Sequence, residues 1–227
     1  VFIYQNLVMS TEKSKAESLK KNLHNADLTN ADLKETDLSS GVLIEACLKD
    51  ADLSESDLCD ADVSSANFEG ARLHRTLLHR SRGRDANFSG CTLTQANLVE
   101  ANFIGANFSH ANLRESNIEG ADLKNTNFKN ANLSDTNMTG VFLSNSDLSD
   151  ADFTNADLIA ADLSNSDLTG ANFENTYLNH ADISGANLKQ GKNLTRDQIE
   201  TTFITRETLL PDILPIKWVS DTEYEFC

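Results

Sequence analysis

The chain is poor in the residues that usually shape globular proteins. It holds 2 prolines, 10 glycines and 1 tryptophan in 227 residues, and only 7% of it is aromatic. Apolar residues make up 39%, below the roughly 45–50% of an ordinary globular domain. No run approaches the ~18 continuous apolar residues of a membrane-spanning helix, so no membrane partner is expected. Bases are scarce: 19 Lys and Arg stand against 35 Asp and Glu, for a formal charge of −16. That balance argues against direct nucleic-acid binding, which needs clustered cations to release counterions. The four cysteines, Cys47, Cys59, Cys91 and Cys227, show neither a C-x-x-C spacing nor a paired histidine. This excludes a disulfide framework and points away from zinc, in a reducing compartment. The five histidines, His24, His74, His79, His110 and His180, are scattered, and there is no glycine-rich phosphate loop. The reading is of a protein that is not an enzyme, with no catalytic, metal or cofactor-binding residues.

What is present is a repeat. Every fifth residue from Leu23 to Leu188 is a centre: 34 positions holding 22 Leu, 7 Phe, 2 Ile, Val63, Met138 and Gly83. Two residues earlier the slot is small, with 20 Ala, 5 Ser and 5 Thr, and one residue earlier 26 of 34 are Asp or Asn. The word is seen in Ala26-Asp27-Leu28 and Ala101-Asn102-Phe103. A period of five fits neither the helix period of 3.6 nor an unbroken strand period of 2. Centre and small residue are one pleat repeat apart and face the same way in an extended segment. Each pentapeptide therefore forms one short side of a coil followed by a turn, and stacked coils bury both columns.

These 34 registered repeats, over residues 22 to about 191, closely resemble the pentapeptide-repeat family. The resemblance implies an all-β fold, a right-handed quadrilateral parallel β-solenoid with four pentapeptides per coil and about 8.5 coils. At ~4.8 Å per coil the rod is roughly 40 Å long. Stacked neighbours are then 20 residues apart. Phe68, Phe88, Phe108 and Phe128 form one column, and Phe153 and Phe173 a second. Outside, Asn87, Asn107 and Asn127 stack, as do Asn97, Asn117 and Asn137, and Asn112 and Asn132, so that their amides can hydrogen-bond along the rod. Aspartate predominates in this slot near both ends, and like charges such as Asp147 and Asp167 stack and repel.

The ends differ. An N-terminal cap, residues 1–21 and in part disordered, is expected to hold one short helix over Ser10–Lys21 after the apolar Val1–Met9. No basic segment leads a long apolar run, so a cytoplasmic protein is expected, with a start that is truncated or processed. Residues 192–227 form a C-terminal helical cap. Thr195-Arg196-Asp197-Gln198 is a capping-box pattern that predicts a helix over about 196–203. The tail resembles a bacterial branch of the family, and two readings stand open: a monomeric cap, or dimerisation through this cap, as in the quinolone-resistance branch.

One segment stands out. Arg72, Arg75, Arg80, Arg82 and Arg84 fall within 13 residues of one another, around Gly83. Arg75, Arg80, Arg82 and Arg84 are the candidate partner contacts. The 20-residue period also places Arg72 over Asp52, Arg75 over Glu55, Arg80 over Asp60 and Arg82 over Asp62, a ladder of ion pairs between coils. Arg84 lies over Ser64 and is the most available. The function read from this pattern is a non-enzymatic rigid scaffold for an unknown protein partner. The alternative, implied by the quinolone-resistance branch, is a DNA-mimicking modulator of a type II topoisomerase, which an Asn-rich and basic middle disfavours.

Overall fold

The computed structural model describes residues 9–220 and 223–227. The apolar segment predicted over Val1–Met9 lies outside the described residues except for Met9. Parallel bridges link residues 20 apart, from Asp27–Cys47 to Asn172–Lys192. Four pentapeptides therefore close one coil. We number the sides I to IV by their centres: Leu23 on I, Leu28 on II, Leu33 on III and Leu38 on IV.

The pentapeptide works because every one of its N–H groups finds an acceptor, as buried backbone requires. In residues 51–55, Ala51 N donates to Leu48 O at 3.1 Å, closing the turn. Asp52 N donates to Ala31 O one coil below (2.9 Å), while Leu53 N and Glu55 N donate to Arg72 O and His74 O one coil above (2.7 and 2.8 Å). The remaining donor, Ser54 N, bonds the Asp52 side chain at 3.1 Å. This bond to Oδ1 recurs down the rod, at Asp27–Thr29, Asn107–Ser109 and Asp182–Ser184. The Asp/Asn slot is thus a local turn device. Solvation and stacking, the roles read from the sequence, are secondary. Between stacked neighbours in this slot, among the described residues, amide-to-amide bonds form only at Asn67–Asn87 and Asn87–Asn107.

Each corner residue takes a positive φ, from Asn25 at 56° to bulky Arg80 at 54°. Asn, Asp and Gly recur there because they tolerate this region best. The centres fill the interior. Phe68, Phe88, Phe108 and Phe128 stack face to face with ring centroids 4.6, 4.9 and 4.8 Å apart. Phe103 adds edge-on contacts to Phe88 and Phe108 at 5.3 and 5.8 Å. Gly83, one coil below Phe103 on side I, makes this arrangement fit: a Cβ there would overlap the Phe103 ring.

Both ends are closed by chain that borrows the ladder. Helix α1 (Met9–Leu19) leads into a 3-10 turn, Lys20–Asn22. Val42 N bonds Lys20 O at 2.6 Å, and Asp37 N bonds Glu17 Oε1 at 3.2 Å. At the other end the capping box forms around Thr195 and Gln198, and α2 spans Arg196–Glu200. The helix expected to reach 203 stops at 200, because Phe203 is recruited as the next ladder residue, with its N–H on Ala181 O at 2.9 Å. Leu209 continues the stack over Asn187. Gln198 Nε2 closes two carbonyls of the last full coil, Phe173 O at 3.0 Å and Thr176 O at 2.8 Å. A small antiparallel hairpin follows, β1 (Ile216–Trp218) with β2 (Tyr224–Phe226).

Candidate functional site

The five clustered arginines do not form one patch. Five-residue sides carry them around the rod: Arg72 lies on side III, Arg75 at the III/IV corner, Arg80 at the IV/I corner, and Arg82 and Arg84 on side I. They make a belt around one coil. Three of the four expected ion pairs are present. Arg72 Nε reaches Asp52 Oδ2 at 2.8 Å. Arg80 grips Asp60 with two bonds of 2.9 Å. Arg82 approaches Asp62 at 3.4 Å. The fourth is corrected: Arg75 turns to the coil above and donates to Gln95 Oε1 at 2.8 Å, not to Glu55. Arg84 lies 3.8 Å from Asp85.

Arg75 opens a ladder that a pairwise reading misses. Gln95 Nε2 donates to Glu115 Oε2 at 2.7 Å. Arg114 bonds Glu115 and Asp135 at 2.9 and 3.0 Å. Asn155 donates to Asp135 and Asn175 to Asn155, at 3.0 and 3.3 Å. The III/IV corner is therefore wired from Arg75 to Asn175. The signal was in the sequence, as six polar residues spaced by 20, but which neighbour each would choose was not.

The acids fall into two unlike groups. Residues 22–71 carry 12 acids and 2 bases, residues 72–129 carry 5 and 8, and residues 130–188 carry 9 and none. In the first block six of the twelve acids are compensated, from outside it as well as within: Lys13–Glu35, Lys20–Asp37, Lys34–Asp52, Lys49–Glu69, Arg80–Asp60 and Arg82–Asp62. Asp52 is only 4% exposed. Burial pulls its carboxyl upward, but hydrogen bonds from Ser54, Arg72 and Lys34 outweigh this and hold it well below the usual carboxylate range. The Lys20 ammonium, with Ser39, lowers Asp37 to about 2. In the last block Arg114 meets Asp135, and among the described residues none of the eight acids from Asp147 to Asp182 forms an ion pair.

The polar groups with chemical potential are quiet. Burial pushes the Cys59 thiol up to about 12, and its Sγ lies 2.8 Å from His79 Nδ1. Burial does the same to Cys91, whose thiol bonds Phe68 O at 2.8 Å. Among the described residues no group of three His, Cys, Asp or Glu could hold a metal ion, and no helix is long and apolar enough to cross a membrane. The hollows are shallow and open. One is lined by His79, Arg80, Asn97, Val99 and Glu100, and another by tail residues that include Leu209, Pro211, Leu214 and Trp218.

Models of known families match most of the rod. Pentapeptide repeats match at residues 20–43, 42–75 and 84–120, and the pentapeptide repeat region matches at 119–183. The interval 76–83 between matches contains Arg80, Arg82 and Gly83. A search of curated sequences finds no match. Among solved structures, a trypsin-treated form of QnrB1, a plasmid-mediated fluoroquinolone resistance protein, aligns at 21% identity with a TM-score of 0.61. It covers 74% of this chain and 84% of that one. Full-length QnrB1 aligns at 20% identity and 0.60, covering 74% and 86%. HetL, a pentapeptide repeat protein of the cyanobacterium Nostoc sp. strain PCC 7120 involved in heterocyst differentiation regulation, shares 25% identity over 91% of this chain and 94% of that one, at a TM-score of 0.35. The QnrB1 likeness is one of fold. With its unbroken five-residue register and its coils of four sides, the chain belongs to the pentapeptide-repeat family, whose members fold as right-handed quadrilateral β-helices.

Proposed function

We propose that the protein is a rigid, non-enzymatic scaffold that binds another protein. The observation that carries this reading is the rod itself: its centres fill the interior, its outward side chains are set at fixed spacings by a saturated backbone, and its hollows are shallow. Small-molecule chemistry favours concave, largely enclosed sites, whereas a stiff repeating surface suits a protein partner. We place it in the cytoplasm, in keeping with four unpaired thiols. Monomer and dimer through the tail are both compatible with the cap. The arginine belt is a weak candidate for the contact, because Arg80 and Arg82 are already engaged with Asp60 and Asp62.

A topoisomerase-directed DNA mimic is the competing reading. It requires a continuous anionic surface, and the basic residues of 72–129 break the rod's charge into two acidic blocks. The test is quantitative affinity capture with the full chain from its host, alongside gyrase supercoiling assays. A stoichiometric protein partner that survives moderate salt supports the scaffold. Potent, salt-sensitive gyrase inhibition at stoichiometric ratio overturns it in favour of the mimic.

A further inference from the structure

Resting on the scaffold reading, the geometry points to one edge of the rod as its docking surface: the IV/I corner over residues 137–182. Two side chains there break the local rule. Phe142 and Tyr177 occupy the slot that in 26 of 34 repeats holds Asp or Asn, and they are its two aromatic occupants, 44% and 59% exposed. Each gives up the side-chain acceptor that completes the pentapeptide's hydrogen bonding, leaving Ser144 N and Asn179 N without it. Each also places an aromatic ring in water, so local stability favours neither. Residues that sacrifice local consistency are where function is expected.

The surroundings say what would cover them. The corner between sides IV and I carries little side chain at Gly120, Gly140 and Ala160, where the coils below have Asp60, Arg80 and Glu100, and the exposed His180 follows one coil above Ala160. Ile159 stands between the two aromatics. Phe142 lies on side I and Tyr177 on side IV two coils further on, ~10 Å along the axis at the usual strand spacing. Asp157, Asp162 and Asp182 flank this line. One oxygen of each is used locally, by Ile159 N, by Ser164 N and Oγ, and by Ser184 N, and among the described residues none of the three forms an ion pair. The Phe142 ring already attracts one charge from below: Lys124 Nζ lies 4.8 Å from its centroid and 3.4 Å from Asp122. One coil above, Asp162 is its ladder neighbour. An aromatic face beside an unpaired carboxylate is suited to a guanidinium or ammonium group. The occupant is therefore a partner polypeptide segment in which Arg or Lys alternates with apolar side chains. The N-terminal block, with more acids, is less suited, since cations of the chain already pair with six of its twelve acids.

The test uses the full chain and a fluorescein-labelled dodecapeptide of alternating arginine and leucine, with the glutamate-for-arginine peptide as control. Fluorescence anisotropy reads affinity, and amide NMR maps the site. Saturable binding of the arginine peptide is expected, with shifts at 137–142, 157–162 and 177–182 and none in 22–71. Phe142→Asn with Tyr177→Asn should weaken it at least tenfold. Asparagine is the slot's ordinary residue, so these variants should melt at or above the parent temperature, which separates lost docking from lost folding. The proposal is overturned by unchanged affinity of the double variant, by shifts centred on 22–71, by equal binding of the glutamate peptide, or by no binding. If a partner captured from the host binds the double variant as well as the parent chain, this edge is wrong and the scaffold reading stands. If the parent chain captures none, the scaffold reading itself fails.

Discussion

Coils 22–71 and coils 130–188 have the same backbone and nearly the same acidity, yet six of twelve acids are ion-paired in the first and one of nine in the second. In the first, Lys13, Lys20, Arg80 and Arg82 reach in from neighbouring segments, and Lys34 and Arg72 converge on Asp52. In the second, acids from Asp147 onward meet only neutral donors, such as Asn172 on Asp152 at 3.0 Å and Asn187 on Asp167 at 3.3 Å. The same Asx turn therefore serves two ends. Where its second oxygen is paired, it ties coils together. Where it is free, it gives the rod an anionic face available to something outside the chain.

The largest test of this contrast asks whether the two blocks are mechanically one body. They are joined by the aromatic column, and Phe108 sits in its middle between Phe88 and Phe128. Phe108→Ala should cost about 3–5 kcal/mol, as a truncation that leaves a cavity in a close-packed core. Chemical denaturation measures the loss, and hydrogen exchange should show it spread over both blocks. A loss under about 1 kcal/mol would mean that the ring stack contributes little.

Next in size is the contrast itself, probed by removing one charge while keeping the turn. Asp52→Asn preserves an acceptor for Ser54 N but takes the anion from Lys34 and Arg72. A loss of about 1.5–3 kcal/mol is expected, the range for hydrogen bonds to charged groups. Asp167→Asn, made over Asp147 in the other block, should change stability by less than about 0.5 kcal/mol or raise it. Equal losses at the two sites would erase the distinction drawn here.

Between the blocks lies the one buried side-chain polar atom that has no partner among the described residues, Ser116 Oγ, in a residue 2% exposed. An unsatisfied buried hydroxyl is unfavourable by about 1–3 kcal/mol, so Ser116→Ala should stabilise the rod, by about 1 kcal/mol in a thermal or urea melt. Destabilisation would show that the hydroxyl has a partner after all.

The smallest effect is one of pH. Asp37 is lowered to about 2 by Lys20 and Ser39, against an unfolded value near 3.9. A depressed carboxyl stabilises the fold fully above its unfolded pKa and loses that contribution as pH falls through its folded pKa. The N-terminal cap should therefore loosen between about pH 4 and pH 2, and Lys20→Met should flatten that part of the profile. Hydrogen exchange at Asp37–Val42 reads it, and an unaltered slope in the variant would assign the acid sensitivity elsewhere.

The sequence by itself determined the coil. A Leu or Phe every five residues and a small residue two before it were enough to give the short sides and their inward faces, while the four-sided coil came with the family resemblance and agrees with the spacing of four phenylalanines by 20. Each of these depends only on which residues face inward, and burial enforces that pattern at every repeat. The capping box at Thr195 was legible for the same local reason. The tertiary structure alone decided where surface groups turned. Arg75 had Glu55 below it and Gln95 above it at equal spacing, and a flexible exposed side chain choosing between two coils leaves no trace in periodicity. It also decided that α2 ends at Glu200, since the open ladder above Asp182 takes Phe203 in preference to another helical turn. Gly83 stands in the sequence only as the one centre without a side chain, and the packed coil decides that the Phe103 ring occupies that space. Finally, the acids of the two blocks are alike in sequence. They differ because compensating cations come from α1, from the turn after it and from the arginine belt, all of which three-dimensional stacking brings to the first block and none to the second.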